Sequence, residues 1–197
     1  MRLESKNAII TGATGGIGFA TVSKYLDEGA NVMMVGRSED KLIEVYNRLG
    51  KPNNATFCVA DSTDELAIRD SVQKTNDTFG SVDILIANAG TEGVVQPLVD
   101  YSVQDFNHTL TVNVTGVWLY FKYAIPHMEN QGYGSIVAVA SGAGVVGFPG
   151  LCPYSASKHA VCGMVKTACL EYGEKGIRFN ALAPGPVSYT HLRAHET

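Results

Sequence analysis

The chain has 197 residues, of which 45% are hydrophobic and 17% charged, a balance typical of one compact soluble domain rather than a disordered chain. Its net charge of -4 gives no reason to expect nucleic acid or an anionic membrane as a partner. Apolar runs stay short of the about 18 residues of a membrane span, and no signal peptide is evident.

The cysteines show neither a Cys-x-x-Cys pair nor a zinc-like spacing. They are Cys58, Cys152, Cys162 and Cys169. We therefore expect reduced thiols, no metal site and a cytoplasmic location.

Apolar runs alternate with helical patterns along the chain. Six runs predict buried strands, at residues 8–10, 32–35, 55–59, 82–87, 135–140 and 177–183. The segments between them predict helices, and Pro126 is expected to bend or end the helix of residues 103–130 early. Strands that alternate with helices favour right-handed crossovers. The sequence therefore predicts an α/β fold, a parallel sheet with helices on both faces, in one domain.

A glycine-rich turn, Thr11–Gly18, follows the first predicted strand. Gly12, Gly16 and Gly18 give a Gly-x-x-x-Gly-x-Gly spacing, and Gly12, Gly15 and Gly18 give Gly-x-x-Gly-x-x-Gly. Such a turn leaves backbone amides free at a helix N-terminus, where a pyrophosphate can bind. We expect dinucleotide binding here, and the alternative is a tight turn without a ligand.

The end of the second predicted strand is where an adenosine ribose is expected. An acidic residue there would bind the 2′-hydroxyl of NAD, whereas an arginine accommodates the 2′-phosphate of NADP. Gly36 and Arg37 occupy this position, so we favour NADP, with NAD or a solvated Arg37 as alternatives. Glu39 and Asp40 are expected to complement the dipole of the helix that follows.

Tyr154 and Lys158 lie four residues apart in Tyr-Ser-Ala-Ser-Lys and would share one face of a helix. A nearby ammonium favours a charged phenolate over a neutral phenol, which suits acid–base catalysis. A surface aromatic and a solvated lysine would give the same pattern. By contrast, His108, His127 and His159 match no ligand or base pattern and are expected to be surface or helix residues.

The chain resembles the short-chain dehydrogenase/reductase family over nearly all of residues 3–187, through motifs that occur in the family's order. These are Thr11–Gly18, Asn88-Ala-Gly90, Ser141, Tyr154–Lys158 and Pro184-Gly185. The resemblance implies a Rossmann-type, doubly wound fold and NAD(P)(H)-dependent interconversion of an alcohol with a ketone or aldehyde. It also implies a small-molecule alcohol or carbonyl substrate, and a full-length parent protein that forms homo-oligomers.

For catalysis, the resemblance implies that Tyr154 protonates the carbonyl oxygen during reduction. Lys158 would favour the ionised form of Tyr154 and hold the nicotinamide ribose. Ser141 would hydrogen-bond the substrate oxygen, and Asn113 would hold a water in a proton relay to Lys158. Taken singly, Ser141 could be an ordinary loop residue, and Asn113 could satisfy buried backbone groups.

For the cofactor, the resemblance implies contacts just beyond the carboxyl ends of the strands, where open α/β sheets bind ligands. The matching positions are Gly12, Thr14, Gly15, Ile17 and Gly18 for the pyrophosphate, Asp61 and Ser62 for the adenine, Asn88 and Gly90 for the adenosine ribose, and Pro184, Gly185 and Val187 for the nicotinamide. Alternatively, Asp61 caps the helix that follows it and Asn88 stabilises a turn.

The sequence departs from the family pattern in two places. Ala87 stands where the family commonly has a first asparagine, and Tyr189 stands where a threonine helps to hold the cofactor. The family then continues through a helical lid and a last strand. We expect both to be missing here, with a domain of residues 1–187 followed by a non-native tail of residues 188–197 from a truncated reading frame.

Two other functions remain open. One is dinucleotide binding without turnover, as a result of the expected truncation. The other is an epimerase or dehydratase of the family's extended branch, which the Gly-x-x-Gly-x-x-Gly spacing permits. Residues 91–96 and 145–152 are expected to border the substrate pocket and to give it a partly apolar entrance.

Overall fold

The computed structural model describes residues 1–185. Its strands are β1 (Asn7–Thr11), β2 (Asn31–Gly36), β3 (Ala55–Val59), β4 (Ile84–Ala87), β5 (Gly134–Val139) and β6 (Ile177–Leu182). Its α-helices are α1 (Gly16–Asp27), α2 (Glu39–Arg48), α3 (Glu65–Phe79), α4 (Val103–Leu110), α5 (Gly116–Gln131) and α6 (Cys152–Tyr172). Short 3₁₀ turns lie at Leu98–Asp100, Gly142–Gly144 and Gly173–Lys175.

The six strands of the described region form one parallel sheet in the order β3-β2-β1-β4-β5-β6. This is the strand order of a doubly wound, Rossmann-type sheet, so the predicted α/β fold is confirmed. The direction of winding reverses between β1 and β4. In such sheets the crevice outside the carboxyl ends of the strands, at this reversal, is where ligands bind.

Both faces of the sheet are covered by helices. Because successive strand residues point to opposite faces, Ile9 and Met33 pack in one apolar layer with α3, α5 and α6, while Ile10 and Met34 pack in the other with α1 and α2. All four side chains are 0% exposed. Burial on both faces explains why the strands are continuous apolar runs rather than alternating ones.

The helical stretch predicted for residues 103–130 is divided by a π-helical segment, Thr111–Thr115. There the N–H of Gly116 donates to the carbonyl oxygen of Thr111, five residues back. Such segments are rare and often mark functional sites, and this one carries Asn113. Pro126 lies inside α5, which continues to Gln131, so the expectation that this proline ends the helix early is wrong.

No helix within residues 1–185 combines the length and apolar character needed to cross a bilayer. Two predictions fall outside the described residues: the cofactor contact at Val187 and the non-native character of residues 188–197.

Candidate active site

The glycine-rich turn is built around a close approach to the end of β4. Gly12 has a φ of +62°, in the left-handed region that favours glycine. A Cβ at Gly12 would lie 2.9 Å from the Cα of Ala89, and a Cβ at Gly18 would collide with the carbonyl oxygen of Gly12. Glycine is therefore required at both positions for the turn to lie against β4 and for α1 to start where it does.

Hydrogen bonds between Thr11 and Asn88 fix this turn in place. The Asn88 side-chain amide donates to the carbonyl oxygens of Thr11 at 2.9 Å and Gly12 at 3.2 Å. The Thr11 hydroxyl accepts from the N–H groups of Asn88 and Ala89, both at 2.9 Å. Asn88 thus stabilises a turn, one of its two predicted roles. Thr11 was not among the predicted site residues, although a polar residue only 2% exposed at the end of an apolar strand was a usable signal.

A cleft of about 740 Å³ opens along the carboxyl edge of the sheet, within the range of about 300–1,000 Å³ usual for ligand pockets. The first turn of α1, which faces it, holds no acidic residue, so its free amides suit an anion. The cleft is lined by ten of the predicted cofactor residues: Gly12, Thr14, Gly15, Ile17, Gly18, Arg37, Asp61, Ser62, Asn88 and Gly90. These features fit a dinucleotide.

At one end of the cleft, Arg37 follows β2 and is exposed, while Ser38 caps α2 by accepting from Lys41 N at 3.4 Å. Asp61 Oδ1 accepts from the hydroxyl of Thr63 at 2.7 Å and from its N–H at 2.8 Å. These two hydrogen bonds, with a smaller contribution from the charge of Arg37, hold the pKa of Asp61 below its ordinary value.

The alternative reading of Asp61 as the cap of α3 is wrong. Asp64 takes that position, and its Oδ1 accepts from the N–H groups of Leu66 at 2.9 Å and Ala67 at 3.1 Å. The second carboxylate oxygen of Asp61 is therefore not committed to capping the helix, and the residue lines the cleft.

One of the three histidines set aside on sequence lies at the site. His108, on α4, lines the cleft beside Thr111 and Val112 of the π segment, and its charge contributes to the lowered pKa of Asp61. His159, in contrast, is exposed on α6 with its Nδ1 2.9 Å from the carbonyl oxygen of Ser155. No sequence spacing links positions 108 and 61, because only the path of α4 over the sheet edge brings them near each other.

Tyr154 and Lys158 occupy the first two turns of α6. Lys158 is 4% exposed, and its Nζ donates to the carbonyl oxygen of Val139, at the end of β5, at 2.8 Å. Burial lowers the pKa of Lys158 from its ordinary value to about 8. Nζ lies 5.6 Å from the centroid of the Tyr154 ring, within the reach of a cation–π interaction. The two side chains therefore share one face of the helix.

Ser141 follows β5 and begins the turn Gly142–Gly144. Its Oγ accepts from the N–H of Ala143 at 3.1 Å, and a Cβ at Gly144 would lie 2.8 Å from the carbonyl oxygen of Lys158. The turn after Ser141 thus packs directly on α6. Pro184 accepts from the N–H of Gly142 at 2.8 Å and so lies beside the same turn, with the exposed Gly185 next to it.

Asn113 and Lys158 are not among the residues that line the cleft, but both lie next to Gly90, which is. Its side chain, 0% exposed, accepts from Thr91 N and donates to Thr91 O, both at 2.8 Å. A Cβ at Gly90 would lie 3.2 Å from Asn113 Oδ1 and 3.4 Å from Lys158 Nζ. Asn113 therefore satisfies buried backbone groups, as one reading of the sequence expected, and the water that it would hold stays a prediction.

Comparison with known proteins identifies a family and several similar proteins. Residues 6–197 match a family model described as short chain dehydrogenase. The chain is 39% identical over 189 residues to Short-chain dehydrogenase reductase 3a of Arabidopsis thaliana, an alignment that covers 95% of this chain and 73% of the relative. It is 38% identical to Glucose 1-dehydrogenase of Gluconobacter oxydans, over 94% of this chain and 71% of that protein.

Solved structures show the same likeness. An NAD⁺-bound xylitol dehydrogenase superposes with a TM-score of 0.92 at 33% identity, covering 98% of this chain and 76% of that one. Levodione reductase superposes with a TM-score of 0.90, also at 33% identity, covering 93% and 72% respectively. All four of these similar proteins are named as dehydrogenases or reductases.

Proposed function

The chain belongs to the short-chain dehydrogenase family, and we propose that it interconverts an alcohol and a ketone or aldehyde by NAD(P)(H)-dependent hydride transfer. The observation that carries this proposal is the buried Lys158, held near the ring of Tyr154 and next to Gly90, which lines a cleft of a size that suits a dinucleotide. The NAD⁺ named for the similar xylitol dehydrogenase supports a nicotinamide dinucleotide.

In this proposal the protein positions the substrate oxygen and moves its proton. When bound, a nicotinamide dinucleotide supplies or accepts the hydride. The Tyr154 hydroxyl donates its proton to the carbonyl oxygen in reduction and takes it back in oxidation, and the Lys158 ammonium favours the resulting phenolate. The Ser141 hydroxyl oxygen accepts from the N–H of Ala143, which leaves its hydroxyl hydrogen free to donate to the substrate oxygen. Asn113 would hold the water that links Lys158 to solvent.

Replacing the phenol tests this assignment. Tyr154→Phe should reduce turnover by at least about a thousandfold, while NADPH binding, followed by fluorescence titration, should stay within about twofold. Tyr46→Phe, on α2 away from the cleft, is the matched control. Near wild-type turnover in Tyr154→Phe would overturn the role of Tyr154. A wild-type chain that binds NADPH and turns over no carbonyl compound would instead favour a dinucleotide-binding module.

We propose NADP as the preferred cofactor. Gly36 ends β2 without an acidic side chain, and the exposed guanidinium of Arg37 lines the cleft just beyond it; this group suits a phosphate. Arg37→Ala should lower kcat/KM for NADPH by about tenfold or more and change that for NADH little. Wild-type protein that uses NADH tenfold more efficiently than NADPH would contradict this preference.

The two segments predicted to border the substrate pocket favour a substrate with an apolar substituent. Val94, Val95, Val145 and Val146 are exposed on two segments that leave Gly90 and Ser141. The backbone of Gln96 donates to that of Gly150 at 3.1 Å, which ties the segments together. An exposed apolar patch of this kind commonly marks a binding site.

A series of methyl ketones tests this substrate class. Since each buried methylene contributes about 0.8 kcal/mol, kcat/KM should rise about fourfold per added carbon. Sugar alcohols and ketoses of equal size should be poor substrates. Val95→Ser and Val145→Ser should flatten the dependence on chain length, and a preference for polyols in the wild type would refute the assignment.

We propose that copies of the chain associate through the outer faces of α5 and α6. A groove of about 570 Å³ between these helices is lined by Trp118, Met164 and Tyr172, with Lys122 and Glu171 giving both signs of charge. Trp118 is 48% exposed, which is unusual for so large an aromatic ring. Sedimentation should show an oligomer that Met164→Glu dissociates, and a wild-type chain that sediments as a monomer would refute the proposal.

We also propose a cytoplasmic location. All four cysteines are free thiols in the structure, the usual state in a reducing compartment. Fractionation of the source cells would contradict this if the protein were recovered outside the cytoplasmic fraction.

A further inference from the structure

Ser157 stands between the catalytic tyrosine and lysine, and its hydroxyl is wholly buried. Ser157 Oγ lies 2.9 Å from Asn113 Nδ2 and 2.7 Å from the carbonyl oxygen of Tyr154. Asn113 is in turn bonded to both backbone groups of Thr91 at 2.8 Å. One continuous set of hydrogen bonds thus runs from the loop after β4, through the π segment, to the first turn of α6.

The direction of every bond in this set is forced. The Thr91 N–H can only donate, so the Asn113 atom that faces it must be the oxygen, and the amide nitrogen must face Thr91 O and Ser157. The Tyr154 carbonyl can only accept, so the Ser157 hydroxyl gives its hydrogen there. Ser157 must then accept from Asn113 Nδ2. Both hydrogens of the amide and the single hydrogen of the hydroxyl are used.

We propose that Ser157 is a positioning residue for the reaction. Its hydroxyl bridges the Asn113 amide and the Tyr154 carbonyl, and this bridge fixes the position of Tyr154 relative to the cleft. The proposal rests on the proposed function and adds a residue to it. Hereafter, the hydrogen-bonded set of Thr91, Asn113, Ser157 and the Tyr154 carbonyl is called the Asn113–Ser157 clamp.

The clamp acts together with a second anchor on the same helix. Lys158 is held at the carbonyl oxygen of Val139, and the clamp holds the preceding turn to Thr91, which lines the cleft. The backbone that carries the phenol is therefore tied both to β5 and to the dinucleotide cleft. Without the Ser157 hydroxyl, one amide hydrogen of the buried Asn113 loses its partner, and the first turn of α6 is released from Thr91.

Kinetics of Ser157→Ala test the clamp. Since a displacement of about 1 Å can cost about a hundredfold in rate, kcat should fall about ten- to a hundredfold, while the Kd for NADPH stays within about twofold. The primary isotope effect on kcat with 4-deuterated NADPH should rise, because hydride transfer becomes slower relative to other steps. A loss of folded protein alone would lower the apparent rate without changing the isotope effect.

Ser155→Ala is the matched control. Ser155 lies in the same turn, and its Oγ makes no hydrogen bond to the part of the chain that the structure describes. Its loss should leave kcat, Kd and the isotope effect within about twofold of wild type. In a double-mutant cycle, the variant that carries both Asn113→Ala and Ser157→Ala should be no slower than Asn113→Ala alone, because both substitutions remove the same hydrogen bond.

Hydrogen exchange tests the clamp independently of the proposed function. The Thr91 amide bonds to Asn113 Oδ1, so Ser157→Ala should speed its exchange by about tenfold or more, and Ser155→Ala should not. If the wild type showed no turnover, the proposed function would fail and Thr91 exchange would decide the clamp. An unchanged exchange rate there, or wild-type kcat and isotope effect in Ser157→Ala, overturns the proposal.

Discussion

Replacing Lys158 by methionine should make the protein more stable at neutral pH and inactive. The side chain is 4% exposed, and burial of its charge lowers its pKa from 10.5 to about 8. One pH unit between the unfolded and folded pKa values corresponds to about 1.4 kcal/mol. Keeping Lys158 charged in the folded state at pH 7 therefore costs about 3 kcal/mol, a large part of the stability of an ordinary domain.

The cost of burying the Lys158 charge makes the free energy of unfolding depend on pH in a recognisable way. Below pH 8 the ammonium is charged in both the folded and the unfolded chain, so the full cost applies. Between about pH 8 and 10.5 the folded chain has lost the proton while the unfolded chain retains it. The free energy of unfolding then rises with pH by up to about 1.4 kcal/mol per unit. Above that window the contribution of Lys158 is constant and the cost is gone.

Urea denaturation of wild type and Lys158→Met, followed by circular dichroism from pH 7 to 10.5, measures the effect. The difference in unfolding free energy should change by about 3 kcal/mol in favour of wild type as the pH rises. Other alkaline titrations occur in both proteins and cancel. Lys166→Met, on the exposed side of the same helix, should give a flat difference. A flat difference for Lys158→Met as well would refute burial as the cause.

Three further changes test the framework of the site. Gly18→Ala sets a Cβ against the Gly12 carbonyl, so the Kd for NADPH should rise at least about tenfold; an unchanged titration would contradict this. Asn88→Ala removes two hydrogen bonds of about 1 kcal/mol each. The free energy of unfolding measured by urea denaturation should therefore fall by about 2 kcal/mol. Gly144→Ala pushes the Ser141 turn off α6, so kcat should fall about tenfold with the Kd for NADPH retained, and equal losses in both would count against this.

The order and type of the secondary structure elements could be predicted because the sheet is covered on both faces. Continuous apolar runs such as Val32–Val35 occur in strands that bury both faces, and glycines and prolines mark the ends. What the patterns lacked was local backbone detail. Pro126 was expected to bend the helix or end it early. The helix continues to Gln131, because its packing on the sheet outweighs the loss of one hydrogen bond. The π segment at Thr111–Thr115 has no hydrophobic period of its own.

Ten of the residues that line the cleft could be predicted from the sequence, since each motif sits at the carboxyl end of a strand and those ends share one edge. Others, such as His108 and Tyr120, belong to no motif. The contacts that those residues make were not predictable. Asn88 is committed to Thr11 and Gly12, and Ser157 is the only bridge from α6 to Asn113 among the hydrogen bonds of the described residues. Both depend on atoms that lie far apart in sequence, and no local spacing rule describes them.

The position of Lys158 links the stability of the fold to the binding of ligand. An ammonium has three hydrogens to donate, and within residues 1–185 the structure gives it one acceptor, the carbonyl oxygen of Val139. Burial lowers its pKa, and in the described part of the chain no carboxylate offsets that effect. Ligand oxygens that reach Nζ would hydrogen-bond the charged form and raise that pKa, which offsets the same cost that Lys158→Met removes. The methionine variant should therefore gain stability as a free protein and lose the extra stabilisation that a ligand gives to the wild type.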